Sequence, residues 1–314
     1  MIIKDFAAII VTYNRKKLLL KNLLMTLNQT YLPSKIYIID NHGVDETEKY
    51  LAESNVNLSL IEYIYLENNI GGAGGFYTGL KKAFNDGFKW FLLMDDDGTP
   101  IDNCCFENLF KAIELKNLNE KNEVFANSLV LYNNETLSFG LGKMETVDEI
   151  NKSGKKNNGI IDGIANPFNG TLLSRGLIEK IGYPNKNFFI RGDEVDYEER
   201  AKNNNAYVFT VFDSKYFHPK NLNMRKKKIL WYKFYASVDE PWKEYYEVRN
   251  RIYSILHNYS GEKNQRKKIR FYILKKYFCV LITKCNKKEI FKMIKIGKND
   301  AFLGKLGQKN FSDI

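Results

Sequence analysis

Three consecutive carboxylates, Asp95-Asp96-Asp97, follow directly on the apolar run Trp90-Phe91-Leu92-Leu93-Met94. Adjacent acids at one strand end repel one another, and a cation is the simplest relief. Extended backbone sends Asp95 and Asp97 to the same side, so the two fit a single hard divalent ion while Asp96 points elsewhere. A solvated acidic turn is the competing reading. A second burst of acids begins at Asp193-Glu194-Val195-Asp196-Tyr197, behind Phe188-Phe189-Ile190 and Gly192. Acids at a helix start sit well against its dipole, so the bland explanation is a stabilised helix end. An apolar approach, a glycine and adjacent acids also fit a carboxylate placed in a cleft. His218, followed by Pro219 in a loop, is isolated in sequence, and a metal at the triplet would give it a role as ligand. The four cysteines, Cys104, Cys105, Cys279 and Cys285, lack CxxC spacing and histidine neighbours, which argues against zinc and a disulfide framework.

The elements that must position these groups alternate. Residues 6–11, 36–39 and 58–66 read as strands, and 90–94 as a strand buried on both faces. Helical patterns follow through Leu18 to Leu27, over 44–54 and through Leu80 to Phe84. This predicts an α/β fold with a mostly parallel, doubly wound sheet, whose ligands collect at the C-terminal strand ends. Thr12, Asp40, Asn69 and the triplet all lie just past such ends. The glycines of 71–75 miss a dinucleotide fingerprint, because Tyr77 stands at its third position, and the lysine of a phosphate-binding loop is missing. They either make a tight turn or let backbone approach a phosphorylated ligand. Further on, the pattern predicts a helix over 103–115, a strand over 124–131 and a polar excursion to 159. Next come a strand over 166–173 with Ser174 as a helix cap, and a strand over 208–212.

The chain has 314 residues and a net charge of +11, enough length for one large domain or a domain with an appendage. Residues 261–300 hold 13 Lys or Arg against 3 acids, +10, so nearly all the excess lies there. That distribution argues against nucleic acid as partner. The basic block carries apolar residues at roughly helical spacing, from Ile269 to Ile282. It is either a helix lying on an anionic membrane surface or a helix packed on the body with a solvated basic face. The apolar run 277–283 is far shorter than the about 20 residues that cross a bilayer. With no signal-peptide pattern and no disulfide spacing, the expected compartment is cytoplasmic.

Taken in order, Val11-Thr12-Tyr13-Asn14-Arg15, Ile39-Asp40-Asn41, Asp95-Asp96-Asp97, Asp193-Glu194-Val195-Asp196-Tyr197 and a downstream histidine resemble the family-two glycosyltransferases of the metal-dependent GT-A fold. Asn69 to Phe76 and the triple Asp look most like the galactofuranosyltransferase branch, with rhamnosyltransferases close behind. Tyr245-Tyr246-Glu247-Val248-Arg249-Asn250 is similar to a helix those branches carry after the catalytic domain. The resemblance implies a GT-A domain over 1–225, its nucleotide-binding half in 1–100 and acceptor half in 101–225, followed by a helical segment over 226–314. It implies a nucleotide-sugar donor held by Thr12, Asn14, Arg15, Asp40, Asn69, Gly72, Asp95, Asp96 and Asp97, with Asp40 reading the uracil edge. Mn²⁺ or Mg²⁺ would sit on Asp95, Asp97 and His218. Glu194 falls at the catalytic base, where many relatives have Asp, and Asp193 beside it shares the assignment. Arg200 and Arg249 are candidates for phosphate contacts, with salt bridging as the plainer role. The implied reaction is transfer with inversion from UDP-galactofuranose to a lipid-linked glycan, at the inner face of the membrane. A dTDP-rhamnose transferase and a catalytically silent binding subunit are the alternatives. The sequence leaves homo-oligomer formation open.

Overall fold

The computed structural model describes residues 5–220, 225–229, 232–236 and 238–311. Its first half alternates as β1 (Phe6–Thr12), α1 (Lys16–Leu27), β2 (Lys35–Asp40), α2 (Thr47–Ala52), β3 (Ile61–Tyr65), α3 (Gly71–Asn85) and β4 (Trp90–Asp95). These strands pair in parallel in the order β3-β2-β1-β4. All seven residues of β1 are buried, as expected of a strand covered on both faces. Ala7, Ile9, Val11 and Leu93 pack with Phe76 and Leu80 of α3, while Ala8, Ile10, Leu92 and Met94 join Leu19 and Leu23 of α1 on the other face. Gly75 and Gly79 bring α3 close to the sheet: a Cβ at either would lie 2.5 Å from Val11 or Ile9. The register sets Thr12 beside Asp40 and Val11 beside Asp95, so three strand ends share one rim. The helix expected over 44–54 shortens to α2. Asp45 accepts from the backbone N–H of Lys16 and the hydroxyl of Thr47, and Glu46 takes a positive φ of 56°, which holds the preceding residues in a turn.

The second half comprises β5 (Thr99–Pro100), α4 (Cys105–Leu115), β6 (Val124–Leu131), β7 (Thr136–Leu141), β8 (Met144–Thr146), α5 (Val147–Lys152), β9 (Lys156–Asn157), β10 (Ile160–Asp162), β11 (Asn169–Ser174), α6 (Arg175–Ile181), α7 (Asp193–Asn203) and β12 (Tyr207–Phe217). Strand β11 runs antiparallel between β4 and β6, and β12 lies parallel to β6. The expected polar excursion after β6 is ordered into short strands. Its core is Leu137, Leu141, Met144 and Ile150, and a reciprocal Thr146–Glu149 capping box opens α5.

The remainder departs from the helical segment expected from residue 226. An antiparallel hairpin of β13 (Arg225–Ile229) and β14 (Tyr232–Ala236) comes first, then α8 (Pro241–Asn258), α9 (Glu262–Ile282) and α10 (Lys287–Phe302). The three helices share a core that includes Val248, Ile252, Ile269, Ile273, Ile290 and Ile294. On the inner face of α9, Lys276 is buried between Glu244 and Glu247, at 2.8 and 2.7 Å. The outer face leaves Phe271, Leu274, Phe278 and Leu281 exposed. Thus α9 packs on the body through one side and is apolar on the other. No described helix is long and apolar enough to cross a membrane.

Candidate active site

The acid triplet is held by α1 and β12. Asn22, buried among the leucines of α1, donates through Nδ2 to the carbonyls of Asp95 at 3.1 Å and Gly98 at 2.7 Å. This clamps the turn that presents the acids. Gly98 is obligatory there, because a Cβ would meet the Tyr216 ring at 2.4 Å. The pairing of β5 with β12 sets Phe217 opposite Thr99, which carries His218 across the turn to Asp97. Its Nε2 lies 3.3 Å from Asp97 Oδ1. Asp95, Asp97 and His218 each offer a ligand atom within 4.8 Å of the others. Two carboxylate oxygens and an imidazole nitrogen suit Mn²⁺ or Mg²⁺ better than a thiophilic metal.

The electrostatics fit the same conclusion. Burial first, then the charge of Asp97, pushes Asp95 up to about 7. Asp97 is itself lowered, since His218 and Arg15 outweigh its burial. Burial pulls the His218 imidazole down, but Asp97 and Asp95 raise it overall. Asp95 therefore lacks a countercharge that a cation would supply. Asp96 points away from this cluster, as alternation predicts. It accepts from Thr12 Oγ1 at 2.8 Å and from Arg15 Nη1 at 3.0 Å, and burial raises it to about 6. Arg15 also donates to Asp97 at 3.0 Å, so one guanidinium ties both acids to the start of α1.

The other stations shape the rim through contacts within the chain. Asp40 is 1% exposed and accepts from the Gly43 N–H at 2.7 Å and from the Tyr63 hydroxyl. Asn14 accepts from the Val44 N–H at 2.7 Å. Asn69 accepts from the Gly71 N–H at 2.9 Å and so turns the chain into α3. A Cβ on Gly71, whose φ is +74°, would lie 2.0 Å from the Phe189 carbonyl oxygen. That same carbonyl accepts from Ala73 N–H at 3.1 Å, joining the glycine-rich turn to the segment that leads to Asp193. Gly72 faces open space, with nothing within 4 Å of an added Cβ.

Asp193 and Glu194 open α7. Asp193 is buried, and burial together with the neighbouring Glu194 carboxylate holds it well above the usual carboxylate range. Glu194 lines a cavity of about 690 Å³ with Arg191 and Val195 on one side and residues of α8 and α9 on the other, and its charge bears on Asp95. The loop before the pair is strained, with φ of 67° at Phe189 and 65° at Arg191. It is held from α8. Asn250 Nδ2 lies 3.0, 2.9 and 2.7 Å from the carbonyls of Phe188, Ile190 and Arg191. Beside it, Arg249 is 1% exposed and donates to the carbonyls of Phe188 at 2.9 Å and Gly307 at 2.6 Å. The expectation of Arg249 as a phosphate contact or surface salt bridge is thereby corrected: its donors are spent on the Phe188 and Gly307 carbonyls and on Asn250 Oδ1. Arg200 takes the plainer of its two expected roles, a salt bridge to Asp196 at 3.1 Å, and also donates to the carbonyls of Ile181 and Tyr183 at 2.7 and 2.8 Å. Sequence reasoning missed Asn22 and Asn250. The signal for the first was a polar residue on the buried face of α1, and for the second the Arg-Asn pair in an otherwise apolar-faced helix.

A parallel sheet that gathers an acid–imidazole cluster at its C-terminal rim, opposite the Asp193–Glu194 pair, is the arrangement of a GT-A glycosyltransferase. Residues 7–182 match Glycosyl transferase family 2, and the chain belongs to that family. It is 29% identical over 308 residues to Galactofuranosyltransferase GlfT1 of Mycobacterium tuberculosis, covering 96% of this chain and 97% of the relative. Among solved structures it is similar to residues 1–349 of TarS from S. aureus, with TM-score 0.57 and 16% identity over 95% of this chain and 80% of that one. GalNAc-T7 with UDP, GalNAc and Mn²⁺ aligns with TM-score 0.58 and 11% identity over 96% of this chain and 56% of that one.

Proposed function

We propose that this chain transfers a galactofuranosyl group from UDP-galactofuranose to a lipid-linked glycan, with inversion, at the inner face of a cell membrane. The observation that carries the reading is the convergence of Asp95, Asp97 and His218 on one point, beside Asp193 and Glu194. The full-length match to a galactofuranosyltransferase favours that sugar over rhamnose.

Asp95, Asp97 and His218 would hold Mn²⁺ or Mg²⁺. The ion would offset the negative charge that grows on the departing diphosphate. Thr12 and Asp40 bound the nucleoside side of the rim, where Asp40, fixed by Gly43 and Tyr63, keeps lone pairs for the uracil edge. Asn14, Asn69 and Gly72 shape the loops around the donor, and Arg15 holds Asp96 ready for the sugar or ribose. Burial and the Glu194 carboxylate hold the Asp193 carboxyl well above the usual carboxylate range, and the two side chains share a hydrogen bond. This orients Glu194, which faces the cavity, to take the proton of the acceptor hydroxyl. One base without a second nucleophilic carboxylate implies a single displacement and inversion. Such a base contributes on the order of 10²–10⁴ in rate.

The test is transfer and donor hydrolysis across a panel of sugar nucleotides with Mn²⁺. UDP-galactofuranose should be used best. Asp97→Ala and Glu194→Gln should each abolish transfer, and only Asp97→Ala should weaken metal-dependent UDP binding. Full transfer by both variants would refute the site; preference for dTDP-rhamnose would refute the donor.

A further inference from the structure

The cavity that Glu194 lines is bounded by one stripe of α9. Lys268, Phe271, Tyr272 and Lys275 face it together, at the i, i+3, i+4 and i+7 spacing of a single helix side. Phe139 of β7 lines it too, and its ring lies 4.9 Å from that of His218. One space thus touches a neighbour of the acid–imidazole cluster, Glu194 and α9. Most charges on its wall are matched: Arg191 pairs with Asp239 at 2.6 Å, Arg251 with Glu199 at 2.7 Å and Glu247 with Lys276 at 2.7 Å. Lys268 and Lys275 differ, since among the described residues neither forms an ion pair. Lys268 lies over the Tyr259 ring, 4.1 Å from its centre.

Two unmatched ammonium groups on one wall favour an anion in the cavity. Both are lysines, compact point charges that suit phosphate oxygens, whereas the two arginines of the wall are already paired. Seven residues at 1.5 Å rise set their Cα atoms about 10 Å apart along α9, so two four-carbon stems can close on one phosphodiester or diphosphate from both ends. We propose that Lys268 and Lys275 seat a phosphate carried by the acceptor, with Phe271 between them against the group it bears. This rests on the acceptor reading above and adds what the site selects, a phosphorylated glycan over a neutral one. The lysines attract the phosphate and the Glu194 carboxylate repels it. Those opposed charges turn the acceptor so that its hydroxyl end, not its phosphate, meets Glu194.

The test is calorimetry of the full chain in excess chelator, which keeps metal off the donor site. Two probes are compared, octyl galactofuranoside and the same sugar joined to octyl through a phosphodiester. The phosphodiester should bind about tenfold tighter, by an advantage that shrinks with added salt. Lys268→Gln/Lys275→Gln should lose that factor and leave the neutral probe unchanged, while Lys268→Arg/Lys275→Arg should keep most of it. Lys275 is exposed and Lys268 half-buried, so both variants should fold, with manganese-dependent UDP binding as the check. Equal binding of the two probes by wild type, binding of neither, or a Gln variant that keeps the preference overturns the proposal. So does inorganic phosphate that binds as tightly as the phosphodiester, which would make this a site for the free anion. Wild-type hydrolysis of UDP-galactofuranose with Mn²⁺ reports on the reaction separately. Hydrolysis without phosphate preference removes the seat alone, and lysine-dependent phosphodiester binding without hydrolysis removes the reaction alone.

Discussion

Replacing Asn250 by Ala tests whether the C-terminal helices belong to the catalytic machinery. The side chain is fully buried, and its amide serves three carbonyls of the strained loop before Asp193. Phe188 keeps its bond from Arg249 after the change, so the Ile190 and Arg191 carbonyls are the ones that lose a donor. Both carbonyls are part-buried, so at about 1 kcal/mol for each acceptor that loses its donor the intact loop geometry becomes less favourable by about 2 kcal/mol. The positive φ of Phe189 and Arg191 adds to the drive, since each costs on the order of 1–2 kcal/mol and is relieved if the loop relaxes. The loop should therefore shift before the domain unfolds. The global unfolding free energy should fall by less than about 2 kcal/mol, while Glu194 moves off its line of attack. A displacement near 1 Å is worth about 10² in rate. Transfer kcat should drop by about that factor, with metal-dependent UDP binding by calorimetry unchanged, because the Asp95, Asp97 and His218 cluster is built by other elements. An Asn250→Ala protein that is folded and transfers at the wild-type rate would refute the positioning role.

Two further outcomes follow from the electrostatics. The Asp193 carboxyl is raised in the folded chain, so folding takes up a proton and stability falls as pH climbs above the ordinary carboxylate value of about 3.9. Asp193→Asn should thus melt higher than wild type at pH 8, with the gain vanishing near pH 4; a pH-independent difference in Tm would contradict the assignment. Lys276→Ala strands Glu244, which is fully buried, and should cost about 3–5 kcal/mol in denaturant unfolding. Glu244→Gln in the same background should recover much of the loss, and no recovery would show that packing rather than charge sets the cost.

The sheet from β1 to β4 was legible because its signals are local. Apolar runs of strand length, helical patterns between them and polar residues just past each end fix both the sheet and the side of it that carries chemistry. The alternation that sent Asp95 and Asp97 together, and Asp96 back toward Thr12 and Arg15, needs only neighbouring backbone. His218 was found through a suspected metal, but its path to Asp97 depends on the long-range register of β12 with β5, which no local pattern encodes. The excursion over 132–159 looked irregular because its strands are two to six residues long, too short to show a period. Arg249 misled for a related reason. A cation in sequence looks like a ligand or a solvated charge, whereas this one is spent on carbonyls of segments that its helix must hold.

The division of labour between the two ends of the chain follows from these contacts. The sheet alone can present the acid cluster, since Asn22, Tyr216 and the β5–β12 pairing secure the triplet without help from the last helices. Glu194 needs more, because the loop with positive φ at Phe189 and Arg191 is held from within by one bond, Ile190 N–H to the Phe188 carbonyl at 2.9 Å, and from α3 by Ala73 N–H. Helix α8 supplies the rest through Arg249 and Asn250, and α10 fixes α8 in turn, approaching so closely at Gly297 that a Cβ would lie 2.7 Å from the Tyr245 carbonyl. The basic α9 is joined to the same unit through Lys276.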